Sequence, residues 1–165
     1  MVEVAIFADI LTLKEALEFD RNIKTESDFQ LTSCCCPMWI GMIRKIYHQL
    51  MPHVPGAVSP MIACGRTIKK LHPGAVTIFV GPCIAKKAEA REKDLQGAID
   101  YVLTFEEMQD IFDALRIKPE SMRDRKREHS SKAGRIYART GGVSQAVQST
   151  LEKLAPEKSM KIKTR

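Results

Sequence analysis

Two short apolar runs, each leading directly into a helix, constrain the fold of this chain more than any other feature. Val76 to Val80 is strand-like in composition and passes through Gly81-Pro82-Cys83 into a helical stretch from about Ile84 to Lys93. Ile99 to Leu103 repeats the pattern. Thr104-Phe105-Glu106-Glu107 follows it as a capping box, in which the threonine and the glutamate three residues on each satisfy a backbone N–H of the other at a helix start. That helix is expected to end near Leu115. Strands alternating with helices predict an α/β fold, with helices packed around a small, mainly parallel β-sheet.

The rest of the chain is mostly helical in pattern. Helices are predicted over about Leu13–Phe19, from Pro37 through Leu50, over Met61–Leu71 behind an N-capping Ser59, and over Val143–Leu154 behind Thr140-Gly141-Gly142. Pro37 suits a first helical position, because the N–H it lacks would be unpaired there. Pro52 and Pro55 end that segment, and His72-Pro73-Gly74 ends the next. Phe29 to Thr32 reads as a strand that stops at a run of three cysteines, Cys34-Cys35-Cys36. The 165 residues suit one domain over 1–155 with a frayed tail over 156–165. Trp39, Met38, Met42 and Met61 are expected in the core, and Cys64 there as a small buried hydrophobe. His53 and His72 flank prolines at helix ends, where histidine often bonds carbonyls.

Charge and cysteine usage exclude several classes. The formal charge is +6, and between Lys118 and Arg139 eight Lys/Arg face three Asp/Glu. Such a basic loop can meet an acidic partner, but one aromatic and no recognition motif argue against nucleic acid. No apolar run approaches the roughly 18 residues of a membrane span. The opening MVEVAIFADI has no basic start of a secretory leader, so a cytoplasmic chain is expected. Five cysteines, an odd number with three contiguous, argue against a disulfide framework and for metal binding or thiol chemistry. The triple cysteine and Cys83 each follow a predicted strand and precede a predicted helix. Strand-to-helix loops of a parallel sheet emerge on one edge, where ligands bind, so the two are expected to meet there. Helix N-termini also stabilise thiolates, the form that binds metal.

Thr32-Ser33-Cys34-Cys35-Cys36-Pro37-Met38-Trp39 and Gly81-Pro82-Cys83-Ile84-Ala85-Lys86-Lys87-Ala88-Glu89 together resemble two signature motifs of the iron-only ([FeFe]) hydrogenase large subunit, TSCCPxW and PCxxKxxE. Ser59-Pro60-Met61, Asp100-Tyr101-Val102-Leu103-Thr104 and Thr140-Gly141-Gly142-Val143 resemble further segments of that family in the same order. The wording FVGPCIAKKAEA is most similar to the hydrogenases fused to sensory domains. The resemblance implies a [4Fe–4S] cluster joined to a di-iron unit carrying CO and cyanide, and the reaction 2H⁺ + 2e⁻ ⇌ H₂ or hydrogen sensing. It implies Cys36 and Cys83 as cluster ligands, Cys35 as the thiol that passes protons, Lys86 beside a cyanide, and Glu89 as part of the site. Spacing by itself leaves Glu89 open as a surface partner of Lys86, three residues away, and leaves Lys87 on a solvated helix face.

The sequence departs from the family in two places. It has three cysteines where the family has two. Aligning on Pro37 selects Cys35 and Cys36, whereas aligning on Thr32-Ser33 selects Cys34 and Cys35. The proline alignment is preferred, because proline fixes the start of the helix that aims the ligand. The family's third motif, ExxxACxxGCxxGGG, is absent, and the resemblance starts partway into the family's domain. A [4Fe–4S] cluster takes four thiolates, so a second chain or segment carrying the missing cysteines is expected, together with an electron-transfer protein. The alternatives are a non-catalytic [4Fe–4S] electron-transfer or assembly-partner module of the same ancestry, and a metal-free interaction domain using the basic loop.

Overall fold

The computed structural model describes residues 1–25, 27–123 and 129–154. The chain forms two compact units, one from Met1–Pro60 with His129–Arg165 and the other from Met61–Glu128. The predicted tail over 156–165 lies outside the described residues.

The first unit is helical. Its long helix α1 (Ala5–Asn22) packs against α6 (Lys132–Ile136) and α7 (Gly142–Leu154). Small side chains allow the close approach. Ala8, Tyr137 and Ala146 form one buried cluster, and Ala16, Val147 and Leu151 another. Gly134 lies directly on α1, where an added Cβ would come within 2.8 Å of Asp9 Cγ. Asp9 in turn accepts hydrogen bonds from the backbone N–H groups of Ser131 at 2.7 Å and Gly134 at 2.8 Å. A carboxylate of α1 thereby satisfies donors at the start of α6 that have no intrahelical partner. Between these elements come α2 (Pro37–Lys45) and a 3₁₀ turn over His48–His53.

The second unit is α/β. Its order is α3 (Pro60–Leu71), β1 (Ile78–Val80), α4 (Ala85–Glu89), β2 (Tyr101–Leu103) and α5 (Phe105–Ala114). The strands pair in parallel, Ile78 beside Tyr101, Phe79 beside Val102 and Val80 beside Leu103. The predicted small parallel sheet is therefore present, as a two-stranded one. Asp100 ties its entrance together, accepting from Lys69 Nζ at 2.6 Å, Thr77 N at 2.7 Å and Thr77 Oγ1 at 3.0 Å. Met61, Ile62, Cys64, Ala98 and Ile99 are the buried apolar residues of this unit. Gly65 lets α3 lie on the segment before β2, since a Cβ there would meet Ile99 Cδ1 at 2.6 Å and the Ala98 carbonyl. The capping box is formed: Glu107 N donates to Thr104 Oγ1 at 3.2 Å, and Thr104 N to Glu107 Oε2 at 2.8 Å.

Several sequence expectations need correction. Phe29 to Thr32 is not a strand. Leu31 N bonds the His53 carbonyl at 2.8 Å, and the Phe29 ring stacks on His53 with centroids 3.8 Å apart, but no strand lies alongside among the described residues. The sheet-edge argument thus applies to Cys83 and not to the triple cysteine. Helix α2 stops at Lys45 instead of Leu50, and a 3₁₀ turn over His48–His53 that contains Pro52 follows it. Helix α4 covers Ala85–Glu89 and then loosens into turns ending at Gly97, whose φ is +81°. Helix α1 begins earlier than its periodic stretch suggested, and the basic segment is a 3₁₀ turn and α6 as well as loop, with 124–128 outside the described residues. Met38 is exposed, unlike Met61 and Cys64, which are buried as expected.

Candidate metal centre

The triple-cysteine loop belongs to the first unit. Cys36 is the N-cap of α2, with Pro37 at the first helical position and the Cys36 carbonyl accepting from Ile40 N at 3.0 Å. Unpaired backbone N–H groups gather at this helix end, a setting suited to an anionic sulfur ligand. Cys35 and Cys36 are half-buried and Cys34 is buried. Cys35 packs on the Ala8–Tyr137–Ala146 cluster, and its Sγ lies 3.6 Å from Ser33 Oγ.

Sequence reasoning missed what stands behind this loop. Cys34 Sγ donates to Glu15 Oε1 at 3.0 Å, and Tyr137 O–H donates to the same oxygen at 3.4 Å. Glu15 is 1% exposed. Burial raises its pKa, against the opposing pull of the bonds from Cys34 and Tyr137. Burial, and then the neighbouring Glu15, push the Cys34 thiol well above the ordinary thiol range, so it acts as a neutral donor. Tyr137 is raised by burial first and Glu15 second. Glu15 Oε2 and Thr12 Oγ1, one turn apart on α1, are buried with no hydrogen-bond partner among the described residues. A signal for Glu15 existed: it follows Leu11 and Thr12 on the buried stripe of α1, where a carboxylate is out of place. Tyr137 lies 122 residues away and left no such trace.

The second unit holds Cys83, Lys86 and Glu89. Cys83 is exposed between β1 and α4, and its carbonyl accepts from Lys86 N at 3.2 Å. Lys86 Nζ meets Glu89 Oε2 at 2.6 Å, and the two side chains are only 14% and 7% exposed. Glu89 is therefore an enclosed partner of Lys86 and not a surface one. Lys87 is not simply solvated, since it bonds Glu107 of the α5 capping box. That bond, then the Thr104 N–H, hold the Glu107 carboxyl below its usual range.

Cys36, at the cap of α2, and Cys83, before α4, carry thiols of a kind suited to iron. Among the described residues, however, no group of three or more His, Cys, Asp or Glu side chains is placed to hold a metal ion. No described helix is long and apolar enough to cross a membrane.

Comparison with known proteins gives a consistent answer. Residues 1–165 match the family described as iron only hydrogenase large subunit, C-terminal domain. The chain is 30% identical over 155 residues to iron hydrogenase 1 of Clostridium pasteurianum, covering 84% of this chain and 27% of that protein. It is 31% identical over 157 residues to the periplasmic [Fe] hydrogenase large subunit of Nitratidesulfovibrio vulgaris, covering 84% and 37%. In structure it is similar to an apo [FeFe]-hydrogenase HydA1 variant from Chlamydomonas reinhardtii, with a TM-score of 0.62 over 90% of this chain and 41% of that one. At 24% identity that likeness concerns the fold alone. The chain spans well under half the length of each of these relatives.

Proposed function

The chain belongs to the iron-only hydrogenase large-subunit family, and we propose that it supplies part of a cluster-binding site that interconverts protons, electrons and H₂, or senses H₂. In this reading Cys36 and Cys83 hold a [4Fe–4S] cluster, and two further thiolates come from a segment or second chain carrying the third motif. The cluster, with its CO- and cyanide-bearing di-iron unit, supplies the redox chemistry when bound. Cys35 holds and passes a proton at Sγ, a task a thiol performs with little motion. Lys86 offers donors to a cyanide nitrogen, and Glu89 fixes its ammonium. An electron-transfer protein and a cytoplasmic setting complete the proposal.

The observation that carries it is the pair of cysteine motifs in a chain matched from end to end by the family. A likeness to a cytosolic Fe-S cluster assembly factor of Kluyveromyces lactis, 28% identical over 79 residues, favours a second reading, a non-catalytic [4Fe–4S] electron-transfer or assembly-partner module. A basic interaction domain without metal is the outcome if no iron is bound at all.

The test is anaerobic reconstitution with iron and sulfide, with and without a polypeptide carrying the third motif. A brown, iron-containing complex is expected, lost in both Cys36→Ala and Cys83→Ala and kept in Cys34→Ser. Hydrogen evolution after adding the di-iron cofactor separates the catalytic reading from the electron-transfer one. Iron content unchanged in both Cys36→Ala and Cys83→Ala overturns the ligand assignment.

A further inference from the structure

Cys34 has no part in the proposed cluster site, yet it is the most enclosed thiol of the three. The loop that carries it is held in an unusual shape: Ser33 has φ +99°, a conformation that a non-glycine residue keeps only where its surroundings enforce it. Two bonds flank that residue. On one side Thr32 Oγ1 and Ser144 Oγ share a hydrogen bond of 2.6 Å, tying the loop to α7. On the other, Cys34 Sγ donates to Glu15 Oε1 at 3.0 Å, tying it to α1. Glu15 is itself buried and also receives the Tyr137 hydroxyl at 3.4 Å.

We infer that Cys34 is a positioning residue: its buried thiol, fastened to Glu15, holds the Ser33 turn closed and sets the direction in which Cys35 and Cys36 leave the loop. A ligand sulfur must be free to face iron. Cys34 is turned inward to a carboxyl, whereas Cys36 caps α2. The extra cysteine thus adds a fastening and not a third ligand. This rests on the proposed function only in identifying Cys35 and Cys36 as the residues worth aiming; the fastening itself exists without iron.

The test uses the full 165-residue chain, reduced and metal-free. Iodoacetamide labelling is followed in time at each cysteine by tandem mass spectrometry. In the wild type Cys34 is expected to label at least about tenfold more slowly than Cys36. In Cys34→Ala, Cys35 and Cys36 label about tenfold faster than in the wild type, as expected when one buried anchoring bond is lost. Cys34→Ser keeps a donor and returns both rates to within about twofold of the wild type. Glu15→Met removes the acceptor at similar volume and reproduces the Cys34→Ala increase, and combining the two adds nothing further, because both break the same bond. Serine and alanine variants that label alike, or a wild-type Cys34 that labels as fast as Cys36, overturn the inference. Should Cys34→Ala fail to fold by circular dichroism, the wild-type rates and Glu15→Met decide it. Because no iron is present, these outcomes are independent of whether Cys36 and Cys83 bind a cluster.

Discussion

Lys86 and Glu89 are side chains whose burial changes what their charges are worth. An ion pair with 14% and 7% exposure is costly to break, because each charge loses its close counter-charge in a setting that water reaches poorly. Glu89→Ala is expected to lower stability by about 3 kcal/mol. The double change Lys86→Met/Glu89→Leu should recover most of that loss, since both charges are then removed together. Lys87→Ala breaks a pair that is 30% and 41% exposed and should cost less than about 1 kcal/mol. Urea denaturation of the variants measures all of these, and equal losses for Glu89→Ala and Lys87→Ala would contradict the distinction. At this scale the sequence was legible only in part. The spacing of Lys86 and Glu89 shows that they can touch, but not that they are enclosed. The Glu107 partner of Lys87 and the Tyr137 partner of Glu15 lie 20 and 122 residues away, beyond any spacing rule.

At the level of elements, the Thr104–Glu107 box and the two paired apolar runs formed as read, and Phe29 to Thr32 did not. The Thr104–Glu107 box was legible because both of its bonds close within four residues. Thr104→Ala should therefore destabilise the chain by about 1 kcal/mol in chemical denaturation. β1 and β2 were legible because their apolar runs pair with each other. Phe29 to Thr32 has comparable composition but no neighbouring strand among the described residues, and strand propensity without a partner yields only extended backbone. Asp100 governs the entrance to the sheet. The hydrogen bond from Lys69, then the Thr77 N–H, hold its carboxyl down at about 2, below the usual 3.8. A depressed folded-state value means that Asp100 stabilises the fold fully above pH 3.8, and that this support is lost as pH falls toward 2. Asp100→Asn should weaken the fold at neutral pH and flatten its acid unfolding across that window, followed by circular dichroism. An acid limb unchanged from the wild type would show that Asp100 does not control it.

For the molecule as a whole, the two-stranded sheet leaves one apolar face open to solvent. Parallel sheets are normally covered on both faces, and two strands alone are marginal in water. Here alternation along β1 places Ile78 and Val80 on one face, beside Tyr101 and Leu103, and Ile78 and Tyr101 are 57% and 61% exposed. Phe79 and Val102 point to the opposite face and are better covered. An apolar face of this kind attracts hydrophobic dyes and other chains. The isolated protein is expected to enhance the fluorescence of anilinonaphthalene sulfonate while keeping its native helix content, and to self-associate as concentration rises. Ile78→Lys and Tyr101→Lys should each reduce dye fluorescence and association with little change in stability, because the new ammonium reaches water. Phe79→Lys should behave in the opposite way, lowering stability by burying a charge and leaving the exposed face intact. Dye titration, light scattering and urea denaturation on the three variants separate these outcomes. Equal dye loss in Phe79→Lys and Ile78→Lys would mean that the two faces of the sheet are not distinguished by exposure.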